Sequence, residues 1–211
     1  MWLYGWDKMI VAATYVDNQA IVKYPIETMY RLLSWCDKIY WFVADKENHD
    51  AISPLVKDKI EIIQIDQKII KPEDIRFAQN KAVKWIKANT NAEFIFYQQA
   101  DLLLTPHGEK IATDWIADYN GSTNSISLCV AQNKLFVELF DNPNGGVLFH
   151  KSWEYEAEDD GWFLKNSFSP FSYRFSSDPW NHPTLINDAR PMMDLGYITT
   201  DAYIRKLACH G

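Results

Sequence analysis

Apolar residues follow two rhythms along this chain. Short runs that are apolar at nearly every position alternate with stretches in which apolar residues return every third or fourth position. The runs MIVAATYV (9–16), KIYWFVA (38–44), IEIIQI (60–65) and EFIFY (93–97) have strand length. Between the first two, PIETMYRLLSWC (25–36) predicts a helix. Pro25 suits its first position, Glu27 its first turn, and Ile26, Met29, Tyr30 and Leu33 share one face. HDAISPLVKD (49–58) predicts a short helix at most, because Pro54 interrupts it. From Pro72 to about Ala88 a longer helix is expected, with Ile75, Ala78, Ala82, Trp85 and Ile86 inward. Such alternation implies a mainly parallel sheet with helices on both faces, and near-continuous apolar strands fit a sheet covered on both sides.

The second half changes character. GEKIATDWIADY (108–119) predicts a helix with Ile111, Trp115 and Tyr119 on one face. SISLCVA, KLFVELF and GGVLFHK predict strands, with DNPNGG a turn between the last two, and TDAYIRKLACHG predicts a closing helix with Thr200 as its cap. The expected fold class is α/β: three layers, α/β/α, with a mainly parallel central sheet and antiparallel additions in the C-terminal half. No repeat or linker divides residues 1–211, so one domain is expected.

Composition narrows the classes. The 211 residues are 47% hydrophobic and 23% charged, which suits one soluble globular domain. A net charge of −7 with scattered Lys and Arg argues against nucleic-acid binding and against an anionic membrane surface. The start lacks a basic region followed by a cleavage site, and no apolar stretch is long enough to span a bilayer. Three spaced cysteines without a CxxC suggest neither a disulfide framework nor a zinc site, so a cytoplasmic location is expected. Asn120-Gly121-Ser122 has the form of a glycosylation sequon, and without secretion it is expected to mark a turn.

Open α/β sheets bind ligands outside the carboxyl ends of their strands. The polar residues there are Tyr15 and Asp17 after the first strand, Asp45 after the second, and Gln99 and Asp101 after the fourth. Residues two apart in extended backbone point the same way, which would turn Gln99 and Asp101 together toward a crevice. An acid and an amide oxygen can hold a hard divalent cation on a diphosphate. They can equally cap a strand and its turn, as can Gln98, and spacing alone leaves both possibilities open.

The stretch NAEFIFYQQADLLLTP resembles the segment of GT-A-fold glycosyltransferases that carries the Asp-x-Asp motif. Gln99 replaces the first acid, while Ala100 and Asp101 keep their places; a Gln-Ala-Asp form is similar to that of bacterial members related to the inverting family. MIVAATYVDN resembles the family's first strand and donor-binding loop, PIETMYRLLSWCDKIYWFVAD its first helix and second strand, and the helix before the motif strand also matches. The resemblance covers roughly residues 9 to 106. It implies a transferase that takes a nucleotide-diphosphate sugar as donor and a hydroxyl group as acceptor. Residues to about 106 would form the nucleotide-sugar half, and 107–211 the acceptor half.

It implies further that Tyr15 and Asp17 belong to the donor loop, that Asp45 contacts the base or ribose, and that Asp101 holds or adjoins a divalent cation, Mn or Mg. Arg76 or Lys81 would neutralise phosphate charge; each alone also fits a solvated helix charge. His182 is a candidate late metal ligand or phosphate contact, ahead of His150 and His210. A neutral Gln99 binds metal more weakly than a carboxylate, which leaves metal-independent catalysis and loss of catalysis both open. Inverting transfer needs a carboxylate to take the acceptor proton. EYEAEDDGWFL (154–164) is the densest acidic run, and Asp159 or Asp160, with Glu158 third, are the candidates; a solvated acidic turn is the alternative. Gly145 and Gly146 either admit an acceptor or complete a turn. Trp85 and Trp115 read as core, and Trp153, Trp162 and Trp180 as candidates for an acceptor wall. Two other activities stay in view, a relative that binds nucleotide or glycan without turnover and a nucleotidyltransferase. Against the latter, no P-loop, no GxGxxG and no glycine-rich basic loop follow the first strand.

Overall fold

A computed structural model describes residues 8–16, 32–53, 59–68, 74–98, 100, 102–122, 125–129, 145–153 and 192–194. Strands β1 (Ile10–Tyr15), β2 (Lys38–Val43), β3 (Ile60–Gln64), β4 (Phe94–Tyr97), β6 (Ser125–Cys129) and β7 (Gly145–His150) form a six-stranded sheet in the order β3-β2-β1-β4-β7-β6. The first four run parallel; β7 lies antiparallel to both β4 and β6. A second, two-stranded sheet pairs β5 (Leu102–Leu104) with β8 (Met192–Asp194) antiparallel. Helices α1 (Lys46–Ile52), α2 (Asp74–Asn89) and α3 (Pro106–Ala117) connect the strands. The expected class, a mainly parallel α/β sheet with antiparallel additions after the midpoint, is what the chain forms.

Alternation along the strands divides the core into two layers. One face of the sheet carries Ile10, Ala12, Ile39, Trp41, Phe94, Phe96, Ile126, Leu128 and Leu148, which pack with Leu32 and with Ala112 and Ile116 of α3. The opposite face carries Val11, Ala13, Tyr15, Tyr40, Phe42, Ile95, Tyr97 and Phe149, packed under Ala78, Ala82, Val83 and Ile86 of α2. Central β1 places alanines at positions 12 and 13, one on each face, so both helix layers can approach closely. All six β1 residues and all four β4 residues are buried. Each large apolar side chain so enclosed contributes about 1.5–3 kcal/mol.

The predicted inner face of α2 is correct at Ala78, Ala82 and Ile86, with Trp85 half-buried against Tyr40 and Phe42 at ring distances of 5.3 and 5.8 Å. The prediction for α3 was displaced by one residue. Its buried line is Gly108, Ala112 and Ile116, while Ile111, Trp115 and Tyr119 pack from the flank. Trp115 and Tyr119 still reach the core, edge-on to Phe94 at 5.7 and 5.2 Å. Helix α3 also starts two residues earlier than expected, with Thr105 as cap and Pro106 in the first turn; Thr105 Oγ1 accepts from Gly108 N at 3.1 Å. Asn120-Gly121-Ser122 is a turn, with Gly121 at φ +84° and Asn120 Oδ1 accepting from Ser122 N at 2.9 Å. Sheet β5–β8 was not anticipated. The strand at 134–140, the DNPNGG turn up to Asn144, the closing helix and all but the end of helix 25–36 lie outside the described residues.

Candidate functional site

Parallel strands β1, β2 and β4 finish at one edge. Tyr15 stands opposite Phe42, and Ala13 opposite Tyr97, so their carboxyl ends are nearly level. With strands about 4.8 Å apart, β2 and β4 lie about 10 Å from each other across β1. Asp45 follows β2 there, and the turn 98–102 leaves β4 at the same edge. Gly145 and Gly146 belong to it as well: Val147 faces Tyr97, so the two glycines begin β7 just beyond the end of β4, as strand residues paired with Cys129 and Leu128.

Three predicted donor-site side chains are described, and all three meet the loop after β3. Tyr15 Oη donates to Gln67 O at 2.9 Å. Lys81 Nζ donates to Asp66 O. Asp45 Oδ2 lies 3.8 Å from Lys68 Nζ. The loop is thus held from below by β1, from the side by α2 and across the edge by Asp45. Its root continues the ladder, with Ile65 N donating to Val43 O at 2.8 Å. Asp45 also has a second task. It is the N-cap of α1, with extended backbone, and its Oδ1 accepts from Asn48 N at 3.0 Å and from Asn48 Nδ2 at 3.1 Å. One carboxylate oxygen is therefore engaged by the helix, and the other faces Lys68 at the rim, with the side chain one-third exposed (33%). Lys68 was missed by sequence reasoning, although a basic residue just past a strand's carboxyl end is the available signal.

The root of the turn 98–102 is buried. Gln98 N extends the ladder by donating to Ala13 O at 3.1 Å, and Gln98 Nε2 reaches over the turn to Leu102 O at 2.9 Å. Gln98, Ala100 and Leu102 are 1%, 4% and 0% exposed. For Gln98, then, the capping alternative is the observed one. Tyr97, below it on the α2 side, has its hydroxyl pushed above the usual phenol range by burial, with hydrogen bonds to the Tyr15 backbone and the Gln79 side chain opposing the rise. It stays protonated and cannot serve as a base.

Other predicted residues are placed less fully. Arg76 is in the first turn of α2, and its side chain is outside the described residues, as are Asp17, Gln99, Asp101, Glu158, Asp159, Asp160 and His182. Among the described residues no cluster of three or more His, Cys, Asp or Glu could hold a metal ion. Trp153 requires a correction. It lies past the end of β7, where Lys151 N donates to Glu93 O and His150 stands opposite Phe94, so it is at the amino edge of the parallel strands. There it packs on Phe149 at 5.6 Å as part of the core layer under α2, away from any acceptor seated at the carboxyl edge. Its neighbour His150 stacks on Tyr119 at 4.7 Å at that same far edge, and burial holds its pKa below the ordinary imidazole value.

No protein-family model matches the chain, and no curated protein matches it in sequence. Solved structures do share its fold. The crystal structure of 4-diphosphocytidyl-2C-methyl-D-erythritol synthase from Anaerococcus prevotii superposes with a TM-score of 0.50 at 10% identity, over 72% of this chain and 81% of that one. CMP:2-keto-3-deoxy-manno-octonic acid synthetase complexed with CTP gives 0.47 at 11% identity, over 69% and 74%. Galactosyltransferase LgtC, in complex with donor and acceptor sugar analogues, gives 0.46 at 12% identity, over 89% and 85%. The first of these superpositions shows a likeness of fold, and the chemistry is argued from this chain's own residues.

Proposed function

We propose that this protein is a glycosyltransferase that moves a sugar from a nucleotide-diphosphate donor to a hydroxyl acceptor, with inversion at the anomeric carbon. The supporting observation is the shared carboxyl edge: Asp45 follows β2 and the turn after β4 leaves beside it, on strands about 10 Å apart across β1. In this reading the nucleoside lies by Asp45 and the loop 65–68, and the diphosphate extends toward Gln99 and Asp101. The oxygen donors of Asp101 and Gln99 fit a hard divalent cation, which His182 would complete and which would offset the charge of the departing diphosphate. Arg76 or Lys81 is the cationic group assigned to the phosphates, while Lys68 stands at the rim beside Asp45, on the nucleoside side. Among the described residues Lys81 spends one of its three donors on Asp66 O. The acceptor oxygen attacks the anomeric carbon as the bond from that carbon to the β-phosphate oxygen breaks. The nucleoside diphosphate leaves with the bonding pair, and the acceptor proton passes to Asp159 or Asp160.

A second reading, donor binding without turnover, is favoured by Gln99, where a carboxylate would have held a cation more firmly. One assay separates the two. Release of nucleoside diphosphate is followed with UDP-, GDP-, CDP- and dTDP-sugars, with and without Mn²⁺, alongside calorimetric titration. The transferase reading expects turnover with one donor, at least tenfold weaker donor binding in Asp101→Ala, and loss of turnover with retained binding in Asp159→Asn or Asp160→Asn. Binding without release in the unaltered protein leaves the second reading; binding unchanged in Asp101→Ala removes Asp101 from the site.

A further inference from the structure

The turn that carries Gln99 and Asp101 is short, and its two ends are anchored differently. On one side the sheet ladder runs on to Gln98 N, bonded to Ala13 O. On the other, Leu102 opens β5, which pairs with β8 through Leu102 and Asp194. A side chain joins the two anchors: Gln98 Nε2 donates to Leu102 O at 2.9 Å, wholly inside the protein. Buried backbone polar groups need partners, and here the Leu102 carbonyl takes its hydrogen bond from an amide side chain. The other end of that amide is unusual. Gln98 Oε1 is buried and accepts no hydrogen bond from any described residue, although the side chain is only 1% exposed. Buried amide oxygens are rarely left so, and each exception calls for a reason. An apolar residue here would avoid that burden and would match the apolar strand before it. Gln98 thus brings a donor that fixes the turn and an acceptor at its root, available to the turn's own groups or to water ordered with a ligand.

We propose that Gln98 is a positioning residue for the donor site: its amide clamps the turn 98–102 so that Asp101 is presented to the nucleotide diphosphate. This rests on the reading of Asp101 as a donor-site residue. Gln98 itself touches neither sugar nor phosphate; it acts through the turn. The proposal explains why two consecutive glutamines follow the strand. The first holds the turn, and the second belongs to the site.

The test compares Gln98→Met with Asp101→Ala in the full chain, titrating the nucleoside diphosphate that binds the unaltered protein in the presence of Mn²⁺. Met conserves the volume and removes both polar ends of the amide. Melting temperature and affinity are measured on the same samples, the titration well below the melting point. The expected result is a tenfold or greater rise in Kd for Gln98→Met in a fully folded protein, with Asp101→Ala also weakened. Unchanged affinity in Gln98→Met beside weakened Asp101→Ala overturns the clamp and leaves the site assignment intact. Unchanged affinity in both overturns the assignment, and the clamp with it. If Gln98→Met does not fold, Gln98→Glu replaces it. A protonated carboxyl can donate to Leu102 O and a carboxylate cannot, so its affinity relative to the unaltered protein should improve as pH falls from 8 to 6. A flat ratio contradicts the clamp.

Discussion

Asp45 offers its two carboxylate oxygens to different partners. Its Oδ1 caps α1, and its Oδ2 faces Lys68. The two roles separate under Asp45→Asn, since Asn caps a helix about as well as Asp and removes the negative charge. Stability should change by less than about 0.5 kcal/mol, while donor binding weakens. Asp45→Ala should lose both, with the cap alone worth about 1 kcal/mol. Thermal melts and donor titrations of the two variants check this; equal donor binding in Asp45→Asn and the unaltered protein would make the residue a cap only. The capping role was available in the sequence, because an acid directly before Lys46-Glu47-Asn48 is an N-cap signal. Its place at the end of a strand drew attention to ligand binding instead. Gln98 was harder to read, since nothing local shows that its amide reaches Leu102.

At the scale of elements, the strands were the most legible part of the sequence. β1, β2 and β4 are buried on both faces, so their apolar runs are nearly continuous and stand out, while β3, at the sheet edge, is only partly buried and carries Glu61 and Gln64. β5 and β8, three residues each, have no such signal; Leu102–Leu104 reads as a trailing apolar stretch until its partner is known. The displaced face of α3 has a similar cause. Its buried line, Gly108, Ala112 and Ile116, begins with two small residues that a search for bulky apolar positions passes over, and the bulky Trp115 and Tyr119 reach in from the side. Helix α2 follows the same rule, with Ala78 and Ala82 fully buried against the sheet. Enlarging this contact should therefore be unfavourable. Ala82→Leu is expected to destabilise the fold by about 1–3 kcal/mol, or about 2–12 °C in melting temperature for a chain of this size. Lys84→Leu, on the exposed side of the same helix, should stay within about 0.5 kcal/mol. A melt in which the two variants behave alike would contradict the packing described for α2.

For the whole molecule, the strand order decides where chemistry can occur. Because β1 lies between β2 and β4 and all three run parallel, Asp45 and the turn after β4 share an edge; had β4 run antiparallel to β1, that turn would leave at the opposite edge. The alternating pattern of strands and helices foretold the parallel sheet and so the edge at which Tyr15 and Asp45 stand, but not that these two and Lys81 meet the loop after β3. It did not foretell what they do there, because backbone contacts such as Tyr15 to Gln67 and Lys81 to Asp66 depend on how a loop folds back. Trp153 illustrates the same limit in reverse, since an aromatic residue among polar neighbours belongs to the opposite end of the sheet. The central claim is that a nucleoside diphosphate binds at the carboxyl edge. Amide hydrogen exchange with and without a saturating nucleoside diphosphate and Mn²⁺ tests it most directly. Protection is expected at 44–48, 65–68 and 98–102, with 90–93 and 151–153 at the amino edge unchanged. Protection confined to the amino edge, or a bound nucleotide that leaves the three carboxyl-edge segments unprotected, would contradict it.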